Sequence, residues 1–99
     1  MRSRLKTYRL GFLNSARKEW DKLHPAVREQ FQKKLRERLI EPHVPSARLS
    51  GMPNCYKIKL RAASYRLVYR VDEDVIRIVV VAVGRRDRNA VYKAAAERI

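Results

Sequence analysis

The sequence predicts an α+β domain: a small, mostly antiparallel four-stranded sheet, an N-terminal αα-hairpin on one face and a short C-terminal helix, in the order β-α-α-β-β-β-α. Three observations carry this. "NCYKIKLRAASYRLVYRV" (Asn54 to Val71) alternates Tyr56, Ile58 and Leu60, then Tyr65, Leu67, Tyr69 and Val71, the period of two strands sharing one buried face. Val27, Phe31, Leu35 and Leu39 recur at i, i+4 as the apolar stripe of a helix. "VIRIVVVAV" (Val75 to Val83) is an apolar run interrupted by Arg77, too short to span a membrane and suited to a buried strand.

The elements follow in order. "LKTYRLGF" (Leu5 to Phe12) alternates weakly and reads as the first strand. In "NSARKEWDKL", Asn14 and Ser15 are good N-caps, and Ala16, Trp20 and Leu23 stand at helical spacing. Pro25 after His24 opens the second helix, because proline is favoured at the first helical position. "EPHVPSARLSGMPN" (Glu41 to Asn54) is rich in proline and reads as a loop. The hairpin then turns at Ala62 and Ala63. "DED" (Asp72 to Asp74) is the next turn, and Gly84 ends the strand that follows. Asp87 or Asn89 caps a closing helix, "AVYKAAAERI", rich in alanine.

A chain of 99 residues has room for one core, so residues 1–99 read as a single domain. The formal charge is +14, from 24 Lys+Arg against 10 Asp+Glu. Such self-repulsion opposes compactness and points to a polyanionic partner, of which nucleic acid is the commonest inside cells. The basic N-terminus lacks the apolar core of a secretory signal. Cys55 stands alone, which excludes an internal disulfide and fits a reducing, cytoplasmic setting; it reads as a small buried apolar residue.

Most familiar chemistries are missing. His24 and His43 stand apart, without metal-ligand spacing, and read as bystanders. There is no Gly-rich phosphate loop, and the acids are too scattered for a paired-carboxylate site. The cations are organised instead. With Ile58 and Leu60 inward, Lys57 and Lys59 share the opposite face. Keeping Leu60 and Tyr65 inward puts Arg66 on that face too, opposite Lys59 in a simple register. Arg61 and Arg70 extend the face. "GRRDR" (Gly84 to Arg88) brings Arg85, Arg86 and Arg88 to the end of the last strand, and Tyr92 on the final helix can lie near Arg86. Such a cluster can neutralise a phosphodiester as a nucleophile adds, and crowded cations favour a neutral lysine or an ionised tyrosine, either of which can act as a base. Pattern alone leaves three readings open: nucleic-acid binding, catalysis, or a solvated face that guards a sheet against aggregation. Val79 and Val81, on the cationic side, read as packing under the last helix.

"KEWDKL", "VREQFQKKL", "LSGMPNCYKIKLRAASYRLVYRV", "VVAVGRRDRNAVY" and "AAERI" together resemble the RelE toxins of bacterial toxin–antitoxin modules, from about Lys18 to Ile99. The resemblance implies a cytoplasmic, ribosome-dependent endoribonuclease of the RelE/ParE fold. It would cut messenger in the ribosomal A site with the 2′-hydroxyl as nucleophile, needing neither metal nor cofactor, and so inhibit translation. The family's catalytic positions fall on Lys57, Lys59, Arg66, Arg86 and Tyr92. Lys59 or Tyr92 would be the base; Lys57 and Arg66 would hold the phosphate; Arg86 would act at the leaving oxygen. Arg48, Arg61, Arg85 and Arg88 would bind RNA, and Lys33, Lys34, Arg36 and Arg38 on the second helix would meet ribosomal RNA. A RelB-like antitoxin, acidic and partly disordered alone, is the implied partner. The chain departs at Ser50, where related toxins carry a cation before Gly-Met-Pro; Arg48 is two residues away. The alternatives are a ParE-like inhibitor of DNA gyrase, whose members generally lack this cationic set, and a non-catalytic RNA-binding module.

Overall fold

The computed structural model describes residues 7–60, 64–85 and 87–99, with the backbone alone at Arg88. β1 (Arg9–Phe12) is followed by α1 (Asn14–Asp21), α2 (Pro25–Ile40), β2 (Cys55–Leu60), β3 (Tyr65–Asp72), β4 (Arg77–Arg85) and α3 (Ala90–Arg98). Short 3₁₀ turns at Pro45–Ala47, Glu73–Val75 and Asp87–Asn89 punctuate the loops. The strand order in space is β1-β4-β3-β2. β2, β3 and β4 are antiparallel neighbours, and β1 lies parallel to β4, so the sheet is mixed.

The period-2 pattern of the hairpin becomes two faces. Tyr56, Ile58, Leu60, Leu67, Tyr69 and Val71 form one core with Trp20 of α1 and with Phe31 and Leu35 of α2. On the reverse face Cys55, Val68, Val81 and Ala82 pack against Val91 and Ala95 of α3. Val81 therefore packs under the last helix as expected, and the cationic face of the hairpin has an apolar centre. A bulge makes this possible. Val68 pairs with Ala82 but Tyr69 pairs with Val80, so Val81 is an extra residue in β4. Val81 and Ala82 both turn towards α3, while Val80 and Val83 face the other core.

Several local expectations change. β1 begins at Arg9 rather than Leu5; Leu5 and Lys6 lie outside the described residues, as do Arg61 and the turn at Ala62 and Ala63. Leu13, not Asn14 or Ser15, occupies the cap position of α1, and no side chain caps it. His24 is no bystander: its Nδ1 accepts the Ala26 N–H at 3.1 Å and caps α2. Gly84 does not end β4, which runs on to Arg85; Gly84 pairs with Arg66, and a Cβ placed there would rest 3.5 Å from Val91. Asn89 holds the cap position of α3 with φ 60°, again without a side-chain bond.

Candidate active site

β2 is an edge strand, and the candidate site is built along that edge. Val71 N–H bonds to Asn54 C=O, so by alternation the backbone groups of Cys55, Lys57 and Lys59 point away from β3. Loop backbone meets the first of them: Leu49 N–H donates to Cys55 C=O at 3.0 Å, and Cys55 N–H to Met52 C=O at 3.1 Å. Arg48 forms an isolated antiparallel bridge with Tyr56, which lays the loop along the same edge.

The side chains fall as alternation requires. Lys59 lies directly opposite Arg66, and Arg66 opposite Gly84, so the central row of this face carries two cations and then no side chain. Lys57 pairs with Val68, whose other neighbour is Ala82. Arg66 is half-buried, and its Nη1 donates to the Tyr65 carbonyl at 3.0 Å. Lys57 is half-buried and Lys59 exposed. Tyr92 is half-buried against the cluster that contains Val68, so α3 brings it to the side of the sheet that carries the lysines.

Between this edge and α2 lies a groove of about 550 Å³, lined in part by Gln30, Lys34, Arg38, Ser46, Lys57 and Lys59. Four of those six side chains are cations, a surface whose field favours a phosphate-rich ligand. Lys33 and Arg36 are also on α2 and are exposed. Arg38, expected with Lys33, Lys34 and Arg36 to meet ribosomal RNA, differs from them in its surroundings. It is half-buried, and its Nη1 donates to Lys57 C=O at 3.2 Å and to the Tyr69 hydroxyl at 2.9 Å. Arg48 and Ser50 are exposed on the loop. Arg85 ends β4 with its guanidinium 5.7 Å from the centre of the Tyr65 ring. Arg86 and Arg61 lie outside the described residues, and of Arg88 only the backbone is described. Arg70 extends no RNA-facing surface freely: its Nε bonds to Asp72 at 2.8 Å, and Arg77 joins the same carboxylate at 3.5 Å.

Two polar assemblies went unread in the sequence. Glu19 of α1 and Arg98 of α3 form a bidentate pair at 2.9 and 2.8 Å, while Arg98 also donates to Val81 C=O and Glu19 accepts Val83 N–H. Burial alone would raise the Glu19 carboxyl, but the bonds from Arg98 and Val83 more than reverse it and leave it lowered. The second assembly joins the loop to a turn: His43 pairs with Glu73, which accepts from the Tyr8 hydroxyl at 3.0 Å. The residue types gave little hint, since α1 carries two acids, Glu19 and Asp21, beside Arg17 and Lys18, and nothing local marks which of them reaches outward. The partners themselves are distant in sequence. Among the described residues no three His, Cys, Asp or Glu side chains gather to hold a metal.

Comparison with known proteins identifies the family and matches the fold. Residues 10–90 match the family model described as ParE toxin of type II toxin-antitoxin system, parDE. The mRNA interferase toxin RelE of Escherichia coli is 50% identical over 92 residues, covering 93% of this chain and 97% of that protein. A free-state mutant structure of E. coli RelE superposes with a TM-score of 0.88 at 47% identity, over 94% of this chain and 98% of that one. RelE in the intact E. coli RelBE toxin–antitoxin complex gives a TM-score of 0.79 at 49% identity, over 82% and 99%. The chain belongs to the RelE-type toxins of the ParE toxin family of type II toxin–antitoxin systems.

Proposed function

We propose that this chain is a toxin that inhibits translation by cleaving messenger RNA in the ribosomal A site. The observation that carries this is the row of Lys59 opposite Arg66, with Lys57 two positions back on the same edge and face and α3 carrying Tyr92 on that side of the sheet. The reaction needs no external nucleophile. The 2′-oxygen attacks phosphorus, its proton passes to a base, and the bond to the 5′-oxygen breaks as that oxygen gains a proton. Lys59 or Tyr92 is the base; Lys57 and Arg66 stabilise the charge that grows on the phosphate; Arg86 acts at the leaving oxygen. The exposed cations of α2 and Arg48, Arg61, Arg85 and Arg88 give affinity for the RNA backbone.

Residues 1–99 act as one toxin domain, restrained by an acidic, RelB-like antitoxin that is partly disordered alone. The charge of +14 and the complex formed by the E. coli relative support that partner. Cytoplasmic residence is consistent with the single buried cysteine, and no helix among the described residues is long and apolar enough to cross a membrane.

The test is cleavage on programmed ribosomes, with messenger 5′ ends mapped. Cuts should appear in the A-site codon and disappear when Lys57, Lys59 and Arg86 are all replaced by alanine. Uncut messenger, or cuts indifferent to those replacements, would overturn the reading. The family model named for ParE keeps a second reading in view, inhibition of DNA gyrase. Gyrase-linked DNA breaks without messenger cleavage would establish it instead.

A further inference from the structure

We propose that Arg38 is a positioning residue for the lysine pair, acting through the main chain of Lys57. An edge strand lacks a neighbour to hold its outward carbonyls, so its course depends on whatever else binds them. At Cys55 the loop does this with two backbone bonds. At Lys57 the partner is a side chain, Arg38 Nη1, at 3.2 Å. The same nitrogen donates to the Tyr69 hydroxyl at 2.9 Å, and that hydroxyl donates to the buried Pro42 carbonyl at 2.7 Å. Tyr69 is fully buried and stacks on Tyr56 with ring centres 5.6 Å apart. Arg38 is thus fixed at its far end by the core and grips β2 between the two lysines that face the phosphate.

The consequence is geometric. Lys57 and Lys59 sit on a strand that is paired on one side only, and a reacting phosphate tolerates little displacement of its cationic partners. Arg38 restores the missing second side at the one residue whose carbonyl sits between Lys57 and Ile58. It lies three residues beyond the buried Leu35, at the border of the apolar stripe, where a long side chain can reach back to the sheet.

This rests on Lys57 being part of the catalytic set, and the experiment separates the two. Arg38→Met, Arg38→Lys, Lys57→Ala and the double variant Arg38→Met with Lys57→Ala are compared in single-turnover cleavage on programmed ribosomes, at saturating and sub-saturating toxin. Arg38→Met is expected to lower the saturated rate by about 10- to 100-fold while the half-saturating concentration stays within about twofold. Arg38→Lys, which keeps a donor but not the planar fork, should recover part of that loss. In the Lys57→Ala background the loss should shrink, because one of the two side chains that Arg38 positions is gone while the carbonyl of residue 57 and Lys59 remain. A raised half-saturating concentration with an unchanged saturated rate would make Arg38 an RNA contact and overturn the proposal. So would a lowered melting temperature with an unchanged rate for the folded protein, or a full loss added on top of Lys57→Ala. If Lys57→Ala cleaves normally, the catalytic reading of Lys57 falls and the proposal with it, whereas a damaged Lys57→Ala beside a normal Arg38→Met overturns the proposal alone. Should Arg38→Met fail to fold, Arg38→Lys and Tyr69→Phe, which removes the second acceptor of the same nitrogen, carry the measurement.

Discussion

Tyr69 concentrates on one hydroxyl what an interior position normally avoids: a buried polar group that both accepts and donates. Its acceptance from Arg38 and donation to Pro42 leave no unmatched dipole. Tyr69→Phe should therefore cost about 1 kcal/mol, since the Pro42 carbonyl loses one of two donors and keeps the Val44 N–H at 3.1 Å. Thermal melting would register this as a fall of several degrees. Burial pushes the Tyr69 hydroxyl up in pKa, partly offset by Arg38, and Tyr8 is raised by burial and by Glu73. A raised folded value means that the stabilising contribution is complete below the ordinary tyrosine range and is lost as pH rises through it. Wild-type stability should accordingly fall above about pH 10, and Tyr69→Phe should flatten that alkaline limb. At this scale the sequence was legible wherever periodicity decides direction. Lys57, Lys59 and Arg66 share a face because strand geometry leaves no choice. Arg38 was not legible, because its acceptor lies 19 residues away and a border position on a helix can turn either way.

α3 is held to the rest of the molecule by a small apolar patch and by the Glu19–Arg98 clasp. The clasp also closes an account left open by β1. That strand stops at Phe12, opposite Val80, so Val81 C=O and Val83 N–H of β4 have no ladder partner there and bond to Arg98 and Glu19 instead. Arg98→Met should loosen α3 selectively: its amides should exchange about tenfold faster while those of β3 and β4 stay protected, measured by native-state hydrogen exchange. Acid should act similarly. The Glu19 carboxyl is lowered in the folded state, so its contribution is complete above the ordinary glutamate value and is lost as pH falls through the lower one. Asp72, lowered by Arg70 and Arg77, follows the same direction. Below about pH 4 the exchange of α3 should approach that of Arg98→Met. The helices and the hairpin were legible because each is written in a local repeat. The parallel placement of β1 and the continuation of β4 through Gly84 were not, since both depend on which distant strand supplies the partner.

For the whole molecule, a charge of +14 works in opposite directions on folding and on binding. Added salt screens self-repulsion, so the melting temperature should rise between low and physiological ionic strength. Affinity for RNA should fall over the same range, with a log–log slope near −0.7 for each phosphate contacted on a single strand. The two trends, measured by melting and by filter binding on one salt series, should cross. The polyanion preference and the α+β architecture were both readable from composition and pattern; the division of the sheet into a face shared with α1 and α2 and a smaller one under α3 required the bulge at Val81. The strand order β1-β4-β3-β2 has a further consequence, in time rather than space. Arg9 pairs with Arg77 and Phe12 with Val80, so the first strand to leave a ribosome must wait for the last before it has a neighbour. The hairpin with its lysines can form earlier, but the sheet that supports it closes late in synthesis. The sheet that backs the lysine-bearing hairpin therefore gains its last strand pair only when the chain is all but complete, whatever has formed before.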